Sequence, residues 1–352
     1  MSRLQILFFS IFILFSGHLL FAQNNSLVRF NELNFNSDFE KEAFLDFQNG
    51  KPDFLKLFLA VSPAMDENRY RDISIRIQTH VTEIKEKKFD KLKDEKKISF
   101  IYKSVNDNVL NRYEEKILFP DLFTTGNFNC LTASAYYGFL FNNLNIGYDF
   151  RETMNHVHPV AFPNSLQIKV ETTDPINGFQ YFDQKLKLQF VGYLINSKII
   201  SKEESKNIPL DSIFNQYYFP ESEIGIKELA GLQYLNDAFF KLGEENYTDA
   251  FTQIQKAYFL YPSKRISTFM LFLLSGCISE LDYKEIEDVS YLGIASRFIG
   301  KDLDEKLFLS EFNSLTEEVL IGRSQIKLYD QMFDTLVKSI EKEDIRAQIQ
   351  II

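Results

Sequence analysis

Between Asn127 and Pro175 the apolar period of the chain changes once, and this change limits the fold more than any other feature. NFNCLTASAYYGFLFNN reads as a helix beginning at Asn129 or Cys130. Asn is a favoured N-cap, and Ala133, Ser134, Ala135 and Gly138 leave room for a close neighbour. Past Gly147 the period falls to two. Tyr148 with Phe150, and Val160 with Phe162, predict two adjacent strands, and Leu166, Ile168 and Val170 predict a third. A helix followed by short antiparallel strands predicts an α+β fold.

The polar residues fall at the ends of these elements. Cys130 stands in the first helical turn, where free N–H groups and the helix dipole favour an anion and so lower a thiol pKa. Period two places His156 and His158 in line with Val160 and Phe162. The same parity carries Leu166, Ile168 and Val170 on to Thr172 and Asp174, and Pro175 ends the strand. If the strands form a meander, a histidine and an aspartate reach one sheet edge, where the start of the Cys130 helix would meet them.

This order, with Cys130 opening a helix after Gly126-Asn127-Phe128-Asn129, then His156 and then Asp174 on successive strands, resembles the transglutaminase-like cysteine enzymes. Over residues 98–178 the resemblance implies a papain-like core, a nucleophile helix packed on an antiparallel sheet. It further implies a thiolate at Cys130, proton exchange with His156, and a carboxylate at Asp174 that fixes the ring tautomer. The implied reaction is acyl transfer or hydrolysis on peptide or glutamine amide bonds, with a protein or peptide substrate and neither cofactor nor metal.

Two positions depart from the family pattern. Relatives carry an aromatic residue two places after the catalytic histidine, whereas His158 followed by Pro159 stands here, so His158 is the alternative base. Active relatives use an upstream Trp or Gln side chain to help bind the oxyanion, and the chain has no Trp. Asn127 or Asn129 would have to supply such a donor, beside the backbone N–H of Cys130. The main rival is an inactive fold of the same kind that binds a protein or peptide as a scaffold. Zinc on His156, His158 and Asp174 or Cys130 is a further reading, as is a Cys130–Cys277 disulfide.

Upstream, MSRLQILFFSIFILFSGHLLFAQNN has a basic Arg3, an apolar run to about Ala22 and then polar residues. That pattern predicts a signal peptide over 1–22 and export to a periplasmic or extracellular compartment. An uncleaved membrane anchor is the alternative, because the run nearly reaches bilayer length. Ser37 and Glu40 suggest a capping box, and Ile73, Ile77, Val81 and Ile84, then Ile98, Ile101, Val105 and Val109, predict two amphipathic helices. His80, inside the first, is read as structural or exposed. The net charge of -10 argues against nucleic acid as a partner.

Residues 23–205 therefore read as the transglutaminase-like domain with added N-terminal helices, 206–222 as a linker, and 223–352 as an all-α domain. Within that domain, ELAGLQYLNDAFFKLGEENYTDAFTQIQKAYFLYPSKR resembles a tetratricopeptide unit. Leu235, Phe239 and Phe240 suit its first helix, and Tyr247, Ala250, Ala257 and Pro262 suit the second. Such a unit implies a protein partner held by the C-terminal helices. No phosphate-binding glycine loop, dinucleotide fingerprint, GxSxG elbow or CxxC pair is present.

Overall fold

The computed structural model describes residues 27–153, 156–166, 168–172, 184–218 and 222–351. The segment read as a signal peptide, 1–22, lies outside them, as does Asp174. Among the described residues no helix is long and apolar enough to cross a membrane. The chain is mostly helical with small sheets, an α+β arrangement that passes into an all-helical C-terminal region.

The N-terminal helices are α1 (Asp38–Gln48), α2 (Phe54–Leu59), α3 (Glu67–Glu86) and α4 (Asp94–Asn108). Ser37 caps α1 by accepting the Glu40 N–H, while the Glu40 carboxylate accepts the N–H of Asn36 rather than that of Ser37. Helices α3 and α4 bury the apolar stripes expected of them, Ile73, Ile77, Val81 and Ile84 on one and Ile98, Ile101 and Val105 on the other. His80 is buried and structural. Its two ring nitrogens lie 2.8 Å from the hydroxyls of Tyr136 and Ser104.

Strand β1 (Arg112–Tyr113) pairs in parallel with β2 (Asn127–Phe128). Between them FPDLFTTG, which reads as a loop, contains the short helix α5 (Asp121–Thr124), opened by Asp121 accepting the Leu118 N–H. Gly126 turns the chain into β2 at a φ of +73°, with Asn111 so close that a Cβ would stand 3.0 Å from its side chain. Helix α6 (Cys130–Asn143) follows at once.

The main sheet has strand order β5-β4-β3-β6: β3 (Tyr148–Glu152), β4 (Val157–Ala161), β5 (Ile168–Lys169) and β6 (Ser222–Ile224), with every neighbouring pair antiparallel. Helices α7 (Gln184–Asn196), α8 (Lys202–Asn207) and α9 (Leu210–Tyr218) lie between β5 and β6 in sequence. The stretch 206–222, read as a linker, thus holds a helix and the first residue of an edge strand of the sheet.

Helices α10 (Ile226–Gly243) and α11 (Tyr247–Leu260) form a closely packed pair, in which a Cβ on Gly231 would come within 2.7 Å of Tyr261 Cβ. Then come α12 (Lys264–Ser279), α13 (Val289–Ser296), α14 (Glu305–Leu315), a π-helical turn at Thr316–Gly322, α15 (Ile326–Ser339) and α16 (Glu343–Ile349). Helix α10 also packs on α2, α6 and β3. The buried apolar side chains form one cluster from Leu27 to Ile349, so sheet and helices share a core.

Candidate functional site

Helix α6 starts where the sequence places it because Asn129 satisfies both sides of the junction. Its Oδ1 accepts the Thr132 N–H at 2.9 Å, and Thr132 Oγ1 accepts the Asn129 N–H at 2.9 Å. Its Nδ2 donates to the carbonyls of Glu115 and Ile117, each at 3.1 Å. A carboxamide has two N–H bonds to give, and both are spent here. Asn129 therefore supports the helix start and has no hydrogen left for a substrate oxyanion. Asn127 gives an amide hydrogen to Glu114 Oε2 at 2.6 Å.

Cys130, the first residue of α6, is 0% exposed. One turn later Ser134 Oγ donates to the carbonyl of Val157, at 3.1 Å. A further turn on, Gly138 meets the rings of Phe150 and Tyr148, and a Cβ there would lie 2.8 Å from Phe150 Cζ. Cys130, Ser134 and Gly138 share one stripe of the helix, spaced by four residues. Going back along α6 thus means going forward along β3. At 1.5 Å per residue, Cys130 is displaced about 6 Å beyond Ser134 along the axis, in the direction of the end of β3.

The imidazoles occupy the other face of the sheet. Phe150 and Glu152 point toward α6, whereas Arg151 points away, and Arg151 is directly opposite His158 in the β3–β4 ladder. Opposed residues of an antiparallel pair share a face. His156 stacks on His158, with ring centroids 5.6 Å apart. His158 lies within the ladder and His156 stands just before the first residue of β4, and both rings are buried.

The third strand has the opposite phase to the one its apolar parity suggests. Lys169 is registered with Val160, so Lys169 and Glu171 share the face of the histidines, while Val170 and Thr172 are buried. The physical reason is that both faces of β4 are buried, so a buried line along β5 does not by itself identify the histidine face. Glu171 Oε1 lies 2.6 Å from His156 Nε2. Glu171 Oε2 pairs with Lys169 at 2.8 Å. The strand parity of the sequence points to Asp174 and away from Glu171.

The electrostatics separate the two imidazoles. Burial lowers the pKa of His156, and Glu171 works against that shift. Burial again, then the nearby charges of Lys169, His156 and Arg151, push His158 down to about 4 despite Glu171. Burial opposes the charge on Glu171, yet Lys169 and His156 together hold its pKa below the ordinary value. Burial thus disfavours the charged form of both rings. The phenol of Tyr113, on β1, has its pKa raised by burial first and by the charge of Cys130 second.

Cys130 and Cys277 are both buried and form no disulfide with each other. No cluster of three or more His, Cys, Asp or Glu side chains able to hold a metal ion occurs among the described residues. A cavity of about 520 Å³ lies elsewhere, in the helical region, lined by Tyr193, Phe272, Leu292 and Phe308 among others. No family model, curated protein or solved structure matches the chain.

Proposed function

We propose that this chain is a transglutaminase-like cysteine enzyme that transfers or hydrolyses acyl groups at peptide or glutamine amide bonds, with Cys130 as nucleophile, His156 as base and Glu171 as the carboxylate beside the base. The observation that carries this reading is the stripe on α6. Ser134, one turn after Cys130, is tied to Val157, the residue that follows His156, and the His156 ring lies 2.6 Å from Glu171. Asp174 was the acid implied by resemblance, and Glu171 replaces it in this reading because of its distance from the ring.

The chemistry is a two-step exchange. His156 takes the thiol proton, and the Cys130 sulfur bonds to the amide carbon. The C–N bond then breaks as the imidazolium returns the proton to the leaving amine, which leaves a thioester. Water or a second amine attacks the thioester, gives its proton through His156 and regenerates the thiol. Glu171 stabilises the imidazolium formed in each step. The backbone N–H groups at the start of α6 are donors for the oxyanion, and the partial positive charge of the helix end favours it. Export of the chain and recruitment of a protein partner by the tetratricopeptide-like helices belong to the same proposal.

One observation favours a second reading, a non-catalytic scaffold for a protein or peptide: Cys130 has no exposed surface. Iodoacetamide alkylation of Cys130, followed from pH 5 to pH 9 by mass spectrometry, separates the two. An enzyme gives thiolate reactivity near neutral pH that His156→Ala abolishes. A thiol that stays unmodified until the protein unfolds supports the scaffold.

A further inference from the structure

Glu152 is the last residue of β3, directly opposite Val157 of β4 on one side and Ser222 of β6 on the other. It follows Phe150 onto the face that packs against α6. There its carboxylate meets two groups from the junction of α11 and α12. Arg265 Nη2 pairs with Glu152 Oε1, and the Tyr261 hydroxyl donates to Oε2 at 3.2 Å. Glu152 is 5% exposed and Arg265 2%.

An ion pair this deeply buried is a poor source of net stability, because desolvating two charges offsets most of their attraction and an apolar pair of similar size often does as well. What such a pair supplies is geometry, since moving either partner separates two buried charges. Here the geometry concerns one place. Glu152 fixes the end of β3, the Glu152–Val157 register fixes the start of β4, and Val157 is both the residue after His156 and the acceptor of the Ser134 hydroxyl. The α11–α12 junction therefore controls the strand end on which the imidazole is mounted.

We propose that Arg265 is a positioning residue for His156: acting through Glu152, it holds the start of β4 so that the imidazole keeps its place beside Glu171. The C-terminal helices are then part of the site's framework rather than a separate module. The functional weight of this inference rests on reading His156 as the base, but its test does not.

The test is the titration of His156 in the full chain with ¹³C,¹⁵N-labelled histidine, the signal being assigned by its loss in His156→Gln. Arg265→Met and Glu152→Gln are expected to move the His156 pKa toward 6.5 by about half a unit or more as the ring loses its enclosed position. Arg265→Lys, which keeps the charge, should move it less. Lys256→Met is the control, because it breaks another fully buried ion pair, with Glu40 on α1; it should lower stability without moving His156. If Arg265→Met does not fold, Tyr261→Phe and Arg265→Lys provide the same comparison with smaller shifts. An unchanged His156 titration in the folded variants, or an equal shift in Lys256→Met, overturns the inference. Alkylation of Cys130 reads separately: an unreactive thiol with an Arg265-dependent titration would sink the enzyme reading alone, and the converse would sink the positioning role alone.

Discussion

Ser134 Oγ donates to the Val157 carbonyl at 3.1 Å, and this bond locks the second turn of α6 to the residue following His156. Ser134→Ala would leave a buried carbonyl without this donor.

The carboxylate beside His156 is the first point to test. Glu171→Gln should lower the alkylation rate of Cys130 near pH 7 by about tenfold or more, since a neutral amide cannot stabilise the imidazolium. Asp174→Asn should change it by less than about threefold if Glu171 is the acid. Equal losses in the two variants would return the role to Asp174.

The stability of the sheet should depend on pH through His158. Its folded pKa, about 4, lies below the ordinary 6.5, so the unfolded chain binds a proton more readily than the folded one. Stability is then full above pH 6.5 and is lost as the pH falls from 6.5 toward 4. Melting temperatures measured across that range should drop in the wild type and drop less in His158→Gln. A parallel decline in both proteins would assign the acid sensitivity to other groups.

Lys256 and Glu40 are each 0% exposed, with Nζ to oxygen distances of 2.8 and 2.9 Å. Lys256→Met should cost about 3–5 kcal/mol in urea unfolding, because it strands a buried carboxylate. Adding Glu40→Gln should recover part of that loss. Burial already raises the Glu40 pKa, and without Lys256 it would rise further. The single variant should therefore lose stability as the pH rises from 5 to 8, a trend absent from the double variant.

Asn129→Ala removes a cap and leaves the Glu115 and Ile117 carbonyls without their donor. A cost of about 2–4 kcal/mol follows, measurable by chemical unfolding. Asn129→Asp keeps the cap but not the two donated bonds, so it should fall between wild type and Asn129→Ala.

The sequence by itself determined what depends on near neighbours. The cap at Asn129, the helix that opens at Cys130, the stripes of α3 and α4, the two strands around the histidines and the paired helices α10 and α11 all follow from propensity and period within a dozen residues. Only the tertiary structure decided the phase of β5, which places Glu171 rather than the Val170 line beside His156, because a strand of two residues takes its facing from the Val160–Lys169 register. It also decided that Ser222–Ile224 completes the sheet and that Arg265 reaches Glu152. These are pairings between distant segments, set by which surfaces the folded chain can bury together, and no local pattern encodes them.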